Sequence, residues 1–404
     1  NSALRRYRIL NMHVPKGFRL AGVHCGLKTS STEDISLIVS DGPVVAAGVY
    51  TQNLICAAPV EICRERTTSN SIRAVVTNSG NANACTGKQG MDDAIRMTEL
   101  VAGACDVPAE SVLVMSTGII GEFLPMDKVT SGINDAASQL NNNEDSLHAA
   151  SRGITTTDKT PKLVSRQVEI NGEVVTITAM AKGAGMIGPR MATLLGVVFT
   201  DAALNETDAA TLLTASVDSS FNSISVEGHT STNDTVLLLA SGLVGEPLEG
   251  PALQQFSDIV AELCIELAKM IPADGEGASH LIEIEVTGCQ SAADAKIIAE
   301  TVASSNLVKT AVTGNDPNWG RIVSAAGYAG IEFDVSKVSL KINGNSVYEN
   351  GTPAEFDAAV VSRSMAESTE CLIQLSVGDG SGMATFWTSD LTCQYVTFNS
   401  EYTT

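Results

Sequence analysis

A threonine at the exit of a glycine-rich loop is the residue of this chain best suited to covalent chemistry. The stretch 176–200 reads TITAMAKGAGMIGPRMATLLGVVFT, in which one apolar, β-like run enters a loop and a second leaves it. Thr193 stands at the exit, directly after Met191 and Ala192. If the bond between Ala192 and Thr193 breaks, Thr193 gains a free α-amine beside its own hydroxyl, which pairs a base with a nucleophile on one residue. The stretch therefore predicts a self-cleaving precursor with a latent threonine nucleophile.

Two other interpretations of this loop stay open on the residues alone. Glycines permit the strained or positive-φ backbone that self-cleavage requires, but they suit a tight β-hairpin connection equally well. Gly183, Gly185 and Gly188 also have the spacing of a dinucleotide-binding fingerprint, which needs a helix after the loop. The run at 194–200 is β-branched and interrupted by glycine, and is therefore a poor helix. Lys182 precedes the glycines, which disfavours a Walker loop as well.

Five turns rich in small polar residues indicate a pocket. Each follows a strand-like run or a helix, where α/β proteins commonly have their sites. They lie at 77–87, 116–118, 274–279, 314–321 and 399–404. Any one of them alone is more simply explained as an ordinary turn, and only their number favours a shared functional role.

The elements that must position these turns mix strands and helices without a strict βαβ alternation. Strand-like runs occur at 35–39, 44–50, 72–77, 112–115, 174–179, 194–200, 235–240, 281–286 and 371–377. Helix-like windows occur at 91–104, 126–140, 144–153, 207–218, 251–271, 291–304 and 353–366, and Pro251 and Pro353 suit first-turn positions. We therefore expect a layered α/β architecture with a mixed sheet, and neither a barrel nor a doubly wound sheet.

Composition narrows the class of protein and its partners. The 404 residues are 44% hydrophobic and 18% charged, as expected for a compact α/β enzyme with two or three domain-sized units. A formal charge of −21 argues against nucleic acid and anionic membrane surfaces as partners. The nine cysteines form no C-x-x-C pair and indicate free thiols in a reducing compartment. We expect a cytoplasmic location, or an organelle matrix if a presequence was removed, and no metal site, because no histidine–cysteine–carboxylate cluster has the required spacing.

Six motifs, in the same order along the chain, resemble one family closely. They are VVTNSGNANACTG at 75–87, STGIIGE at 116–122, TTTD at 155–158, KGAGMIGPRMATLL at 182–195, VKTAVTGNDPNWGR at 308–321 and the ending YVTFNSEYTT. From about Val14 to the C-terminus the chain resembles the ornithine acetyltransferases, or glutamate N-acetyltransferases, of arginine biosynthesis. The resemblance implies a four-layer α/β/β/α sandwich with mixed sheets, similar to N-terminal nucleophile hydrolases in layering but not in connectivity. It also implies a smaller second α/β domain.

The same resemblance implies self-cleavage between Ala192 and Thr193. The α chain, 1–192, would carry the oxyanion hole and the glycine loop, and the β chain, 193–404, the nucleophile and the substrate-binding C-terminus. The two chains would fold together and pair as an α2β2 heterotetramer. Arg190 departs from the family pattern, which commonly has asparagine there, and a bulky cation at this point is able to slow processing.

The resemblance further implies acetyl transfer with Thr193 as nucleophile. Attack on N2-acetylornithine would release ornithine, and glutamate would then take the acetyl group in a ping-pong scheme that needs no cofactor. The Thr117 hydroxyl and the Gly118 N–H match the oxyanion hole. Acetyl-CoA stays open as a further acetyl donor. The implied substrate contacts are Thr156, Lys182, Thr193, Glu276, Asn399 and Thr404.

Charge gives these contacts their expected roles. The Glu276 carboxylate suits an ammonium group of ornithine, and Lys182, with the Asn399 to Thr404 region, suits the α-carboxylate or the acetyl oxygen. Asp158 is expected to brace the glycine loop. His229 and His280 are interpreted as surface or core histidines, since the family uses no histidine as a base.

Two alternatives remain from the sequence. A β-peptidyl aminopeptidase or amidohydrolase would process itself in the same way but pass the acyl group to water. A nucleotide-binding protein would use the glycine loop, keep the chain intact and be stabilised by nucleotides. Glutamate-dependent acetyl exchange separates the proposed transferase from both.

Overall fold

The structure, a computed structural model, describes residues 12–188 and 194–401. This part of the chain divides into two compact units. The larger unit holds residues 12–222 and 229–270, and the smaller unit holds residues 223–228 and 271–401. A mixed β-sheet forms the centre of each.

Strands and helices are numbered in chain order. The strands are β1 Phe18–Val23, β2 Ile35–Tyr50, β3 Ser69–Asn81, β4 Val112–Ile119, β5 Lys162–Ile170, β6 Glu173–Lys182, β7 Leu195–Ala202, β8 Ile224–Ser225, β9 Thr235–Val244, β10 Leu281–Cys289, β11 Ser339–Ile342, β12 Asn345–Glu349, β13 Thr352–Pro353, β14 Glu370–Ser376 and β15 Gly382–Ser389. The helices are α1 Ala58–Arg66, α2 Gly87–Cys105, α3 Met126–Ser138, α4 Glu144–Gly153, α5 Glu206–Ser219, α6 Gly250–Ala273, α7 Ala292–Ala303, α8 Asn306–Thr313, α9 Trp319–Gly327, α10 Ala358–Ala366 and α11 Cys393–Glu401.

The larger unit is built on an eight-stranded sheet with the order β4-β3-β2-β9-β7-β6-β5, and β1 pairs with β2. The pairs β3–β4 and β7–β9 are parallel, and the other neighbours run antiparallel. The ends of β3 and β4 therefore lie side by side, and so do the starts of β7 and β9. These two sheet positions carry the residues of the candidate site described below.

Both faces of this sheet are buried, which explains why its strands read as nearly continuous apolar runs. Successive side chains point to opposite faces of a strand, so Val76 and Val75 enter different cores. The Val76 core includes Met97 of α2 and Ile133 of α3. The Val75 core includes Leu147 of α4. The sheet is thus clamped by helices and holds its strand ends rigidly.

The smaller unit is built on a seven-stranded sheet with the order β13-β12-β11-β14-β10-β15-β8. Strand β10 pairs parallel with β14 and antiparallel with β15, so this sheet is also mixed. Ile282 and Ile284 of β10 share a core with Ile298 and Val302 of α7. Helix α7 begins after Ser291, whose hydroxyl accepts a hydrogen bond from the Asp294 amide as a helix cap does.

The predicted α/β class with mixed sheets and a smaller second unit is confirmed. Residues on both sides of position 192 belong to the larger unit. The division into chains 1–192 and 193–404 stays a prediction. Across the described residues, no helix has the length and apolar character to span a membrane.

Two predictions about individual elements were wrong. The runs 35–39 and 44–50 form one strand, β2, whose pairing with β3 shifts register between Val39 and Val44. Pro353 does not begin a helix but ends β13. Helix α10 begins later, at Ala358, because the Asp357 carboxylate accepts hydrogen bonds from the amides of Ala359 and Val360.

Candidate active site

The turn at Thr117 and Gly118 lies at the end of β4, directly beside the end of β3. Thr117 pairs with Ser79 and Gly118 with Gly80 in the parallel register. Gly118 has φ +136°, and a Cβ there would lie 2.2 Å from the Gly80 carbonyl carbon. Only glycine fits this position without strain or displacement of the neighbouring backbone.

Buried amide side chains from distant parts of the sequence fix this turn. The Ser116 hydroxyl donates to Asn78 Oδ1 at 2.6 Å. Asn233 Nδ2 donates to the carbonyl oxygens of Ala82 at 2.6 Å and Ser116 at 2.8 Å. The backbone around Thr117 is therefore preorganised, as a site that stabilises developing charge must be. Sequence reasoning missed the role of both asparagines, although Asn78 lies in one of the five polar turns identified above.

Lys182, the last residue of β6, brings a positive charge to Thr117. Its Nζ donates to Thr117 Oγ1 at 3.2 Å, and both side chains are buried. A hydroxyl that accepts a hydrogen bond still has its own hydrogen to donate. Thr117 is thus arranged to donate that hydrogen to an oxyanion, with the Lys182 ammonium behind it.

Asp158 organises the start of the glycine loop. Its fully buried carboxylate accepts from Lys162 Nζ at 2.7 Å and from the Gly183 amide at 2.7 Å. Its second oxygen accepts from the Thr156 amide at 3.0 Å. Burial raises the pKa of this carboxyl, but Lys162 and Lys182 beside it outweigh that effect and hold the pKa well below its ordinary value. Asp158 is therefore ionised, and it braces the loop as expected.

The sequence-predicted residues of the larger unit accordingly come together. Lys182 contacts Thr117 directly, and Thr156 is linked through Asp158 to Gly183, the residue after Lys182. Two ammonium groups, Lys162 and Lys182, share one carboxylate here, so these three groups leave a net positive charge. Such a field suits an anionic ligand or a developing oxyanion.

The backbone that follows the predicted nucleophile is anchored on both sides. The Leu194 amide donates to Asp234 Oδ1 at 2.9 Å, and the Leu194 carbonyl accepts from the Thr235 amide at 3.1 Å. Leu195 pairs with Lys182 in the antiparallel register of β6 and β7. Arg190, Ala192 and Thr193 lie outside the described residues, so the anchor at Leu194 is the nearest described constraint on them.

Asp234 contrasts with Asp158 in its electrostatics. Burial raises the pKa of the Asp234 carboxyl well above its ordinary value, and the Leu194 amide and Lys182 only partly oppose this. Burial therefore favours the protonated, neutral form of this carboxyl. Asp234 is the last residue of a polar run at 230–234, which could have marked it as a candidate functional residue. The sequence alone did not connect this run with Leu194.

In the smaller unit, the predicted substrate contacts Glu276 and Asn399 lie next to each other. Asn399 Nδ2, on α11, donates to Glu276 Oε2 at 3.1 Å. Gly277 has φ +72°, and a Cβ there would lie 2.4 Å from the Tyr395 amide nitrogen, so glycine lets this turn approach α11 closely. Burial, with Glu227 and Glu276 nearby, raises the pKa of Tyr395 to about 12. Thr404 lies outside the described residues.

Neither histidine singled out in the sequence belongs to these clusters. His229 is exposed. His280 is buried, and its Nδ1 lies 2.9 Å from Ser279 Oγ and 3.3 Å from Asp390 Oδ2. Asp390 also accepts from Thr313 Oγ1 at 3.1 Å and from the Ser279 amide at 2.8 Å, so it ties together three segments of the smaller unit. This cluster is a structural one, and across the described residues no group of three or more histidine, cysteine or carboxylate side chains could hold a metal ion.

The mixed α/β fold carries a tightly packed threonine–glycine turn backed by a buried lysine, an arrangement suited to an enzyme that stabilises an oxyanion. Comparison with known proteins gives its family. The model of the ArgJ family matches residues 19–404. The chain belongs to the ArgJ family. This confirms the resemblance to ornithine acetyltransferases and the prediction of an enzyme.

Individual relatives agree with the family match. The arginine biosynthesis bifunctional protein ArgJ of Rhodopirellula baltica is 51% identical over 395 residues, which cover 97% of this chain and 96% of that protein. The protein of the same name from Symbiobacterium thermophilum is 46% identical over 395 residues, with coverage of 96% and 98%. The crystal structure of arginine biosynthesis bifunctional protein ArgJ from Bacillus halodurans is 37% identical with a TM-score of 0.50, and the match covers 51% of this chain and 98% of that chain.

Proposed function

We propose that this protein transfers the acetyl group of N2-acetylornithine to glutamate, giving ornithine and N-acetylglutamate. The observation that carries the proposal is the hydrogen bond from Lys182 to Thr117 beside Gly118. It supports an oxyanion hole with two donors, the Thr117 hydroxyl and the Gly118 N–H. The names of the relatives, which refer to arginine biosynthesis, support the substrate class.

In the proposed first half-reaction, the α-amine of Thr193 accepts the proton of its own hydroxyl. An α-amine has an ordinary pKa of about 8, so on the order of a tenth of it is unprotonated at pH 7 and able to accept this proton. The Thr193 oxygen attacks the acetyl carbon, and the carbonyl oxygen becomes an anion that Thr117 and Gly118 stabilise. The tetrahedral intermediate then expels the α-amine of ornithine, which takes the proton back, and leaves an acetyl ester on Thr193.

The second half-reaction reverses these steps with glutamate. Its α-amine attacks the ester carbon, the same two donors stabilise the oxyanion, and the Thr193 oxygen leaves with a proton. The amide bond of N-acetylglutamate forms as the ester bond breaks. Because one amide is exchanged for another through an ester, no external energy source is required.

The proposed substrate contacts follow from charge. Lys182 binds the α-carboxylate or acetyl oxygen of the amino acid, with Thr156 beside the same segment. Glu276 binds an ammonium group of ornithine, and Asn399 and Thr404 contribute further hydrogen bonds. Thr193 bonds to the acetyl carbon of N2-acetylornithine in the first half-reaction, and glutamate attacks that same carbon in the second.

We further propose that the protein makes its nucleophile by cleaving itself between Ala192 and Thr193, and that the resulting α and β chains pair as α2β2. The Bacillus halodurans chain supports cleavage, since nearly all of it matches only 51% of this chain. The anchoring of Leu194 by Asp234 and Thr235 supports a fixed backbone next to the bond that breaks.

The test combines intact-mass measurement with an exchange assay. The purified, denatured protein should give two species matching 1–192 and 193–404, and incubation with N2-acetylornithine and glutamate should yield N-acetylglutamate. Thr193→Ala should remain one uncleaved chain and transfer nothing. Transfer by the Thr193→Ala protein would contradict the mechanism, and release of acetate without N-acetylglutamate would indicate a hydrolase instead.

The word "bifunctional" in the relatives' names favours a second activity, acetylation of glutamate from acetyl-CoA. The same acetyl-Thr193 ester would serve, with coenzyme A thiol as the leaving group. Incubating the protein with acetyl-CoA and glutamate, and measuring free thiol with N-acetylglutamate, tests this activity separately from exchange.

A further inference from the structure

Lys28 lies in a loop that a single buried carboxylate holds in place. Asp34 accepts four backbone hydrogen bonds, from the amides of Cys25, Gly26, Leu27 and Lys28, at 2.7 to 3.2 Å. Burial raises the pKa of this carboxyl, but the donors around it prevail and lower the pKa below its ordinary value. The loop backbone at Lys28 is therefore fixed by an ionised carboxylate.

The loop holds Lys28 against the strand end that carries the oxyanion turn. A Cβ on Gly80 would lie 3.0 Å from the Leu27 carbonyl oxygen and 3.3 Å from Lys28 Cγ. Gly80 has φ +106° and pairs with Gly118 across β3 and β4. The absence of a side chain at Gly80 thus leaves room for the stem of Lys28 beside the Gly118 turn.

The ammonium group of Lys28 is buried without an acceptor. Its Nζ has no hydrogen-bond partner among residues 12–188 and 194–401. Burial lowers the pKa of Lys28, whereas the nearby carboxylates of Asp34 and Asp158 raise it. The ammonium group of Lys182 lowers it further, so Lys28 and Lys182 lie close enough to influence each other electrostatically. A buried ammonium that lacks an acceptor is costly, and such a group in a folded protein calls for a ligand or a function.

The acidic side chains around Lys28 are already engaged elsewhere. Asp34 binds the loop amides, and Asp158 binds Lys162 and the Gly183 amide. Glu33 accepts hydrogen bonds from the Arg152 guanidinium at 2.6 to 3.0 Å. The positive charge of Lys28 is therefore left available to an anion from outside the chain.

We propose that Lys28 binds the side-chain carboxylate of the acetyl acceptor, and so favours glutamate in the second half-reaction. This rests on the proposed function. Both amino-acid substrates carry an α-carboxylate next to the reacting nitrogen, and Lys182, which contacts Thr117, is the cation at the reacting centre. Glutamate differs from ornithine in carrying a second carboxylate, and Lys28 is a second cation in the same field.

The test compares Lys28→Met and Lys28→Arg with the wild-type protein in acetyl exchange. In Lys28→Met we expect the KM for glutamate to rise at least about thirtyfold, since a buried charge pair is lost. Release of ornithine from N2-acetylornithine in a single turnover, which reports the first half-reaction, should change less than about threefold. Lys28→Arg should recover part of the glutamate affinity because it restores the charge.

The matched control is Lys128→Met, which removes a more exposed lysine that contacts the same loop through the Gly26 carbonyl. It should leave both half-reactions unchanged. Glutarate, a dicarboxylate without the amine, should inhibit the wild-type protein competitively against glutamate and lose potency in Lys28→Met.

The outcomes distinguish the two proposals. If the wild-type protein transfers no acetyl group, the proposed function fails and the role of Lys28 fails with it. If the wild-type protein is active and Lys28→Met changes neither the glutamate KM nor glutarate inhibition, only the role of Lys28 is overturned. An equal loss in both half-reactions would also overturn it, because it would make Lys28 a general structural residue.

Discussion

Lys182 Nζ and Thr117 Oγ1 are joined by a hydrogen bond of 3.2 Å between the ends of β6 and β4. The two residues are 65 positions apart in sequence, and four strands, β3, β2, β9 and β7, lie between β4 and β6 in the sheet order. The hydrogen bond therefore shows that the ends of β6 and β4 approach each other although they are not neighbours in the sheet. This contact orients the threonine hydroxyl, and we expect the two residues to act together.

Thr117→Ala should slow acetyl transfer on the order of a hundredfold, because one oxyanion donor is lost. Lys182→Met should also slow it. The double variant should lose less than the product of the single losses, since the two side chains share a hydrogen bond. The measurement is kcat/KM for N2-acetylornithine, with Thr211→Ala on the exposed face of α5 as a control. Independent, multiplicative losses would argue against the coupling.

Gly118→Ala should reduce transfer by at least about a hundredfold, because its Cβ would displace the strand end that aligns the oxyanion donors. The control is Gly121→Ala in the following turn. Gly121 also has a positive φ, +84°, but a Cβ there would meet nothing within 4 Å. Both variants should lose on the order of 1 kcal/mol of stability from backbone strain, and Gly118→Ala should lose more because its Cβ also meets the Gly80 backbone. Equal activity in the two variants would contradict the importance of close packing at Gly118.

Much of the fold could be predicted from local pattern. The windows 126–140 and 144–153 were close to α3 and α4, because each has apolar residues at helical spacing. Strand β5 was missed, since its sequence KLVSRQVEI is interrupted by the polar run SRQ and begins with a lysine, which is buried in an ion pair with Asp158. Residues 40–43 look like a turn, yet β2 continues through them, as Ser40 Oγ donates to the carbonyls of Gly42 and Arg73.

The candidate site, like the fold, could be predicted only in part. The sequence motifs identified Thr117, Gly118 and Lys182, because these residues lie within the motifs themselves. They did not identify Asn233, whose partners Ala82 and Ser116 are 151 and 117 positions away, nor Lys28, whose burial depends on the sheet. Supporting side chains are fixed by long-range contacts, which local spacing does not encode.

Asp158→Asn should strongly destabilise the protein. The substitution removes the negative charge that the buried ammonium groups of Lys162 and Lys182 share, and losing one member of a buried ion pair costs about 3–5 kcal/mol. Urea unfolding measures the change. Asp92→Asn, which removes a carboxylate from an exposed pair with Lys88, should change the free energy of unfolding by less than about 1 kcal/mol.

Asp234→Asn should have the opposite outcome to Asp158→Asn, although the chemical change is the same. The raised pKa of Asp234 favours its neutral form, and asparagine likewise carries no charge and keeps an oxygen to accept from the Leu194 amide. Stability and cleavage should stay close to wild type. Asp234→Leu removes that acceptor and should slow cleavage at Ala192, as seen by intact mass over time. If Asp234→Asn is as damaging as Asp158→Asn, the carboxyl is ionised and its assignment as neutral is wrong.

His280 should make the stability of the smaller unit depend on pH. The hydrogen bond to Asp390 raises the pKa of His280, against the effect of burial, so the folded state holds its proton more tightly than the unfolded chain does. The resulting stabilisation is fully present below the unfolded pKa of about 6.5 and is lost as the pH rises through the folded value. His280→Gln should therefore cost more stability near pH 6 than near pH 9, measured by urea unfolding. His148→Gln on the exposed side of α4 is the control. If His280→Gln lowers the free energy of unfolding equally at both pH values, Asp390 does not stabilise the protonated imidazole of His280.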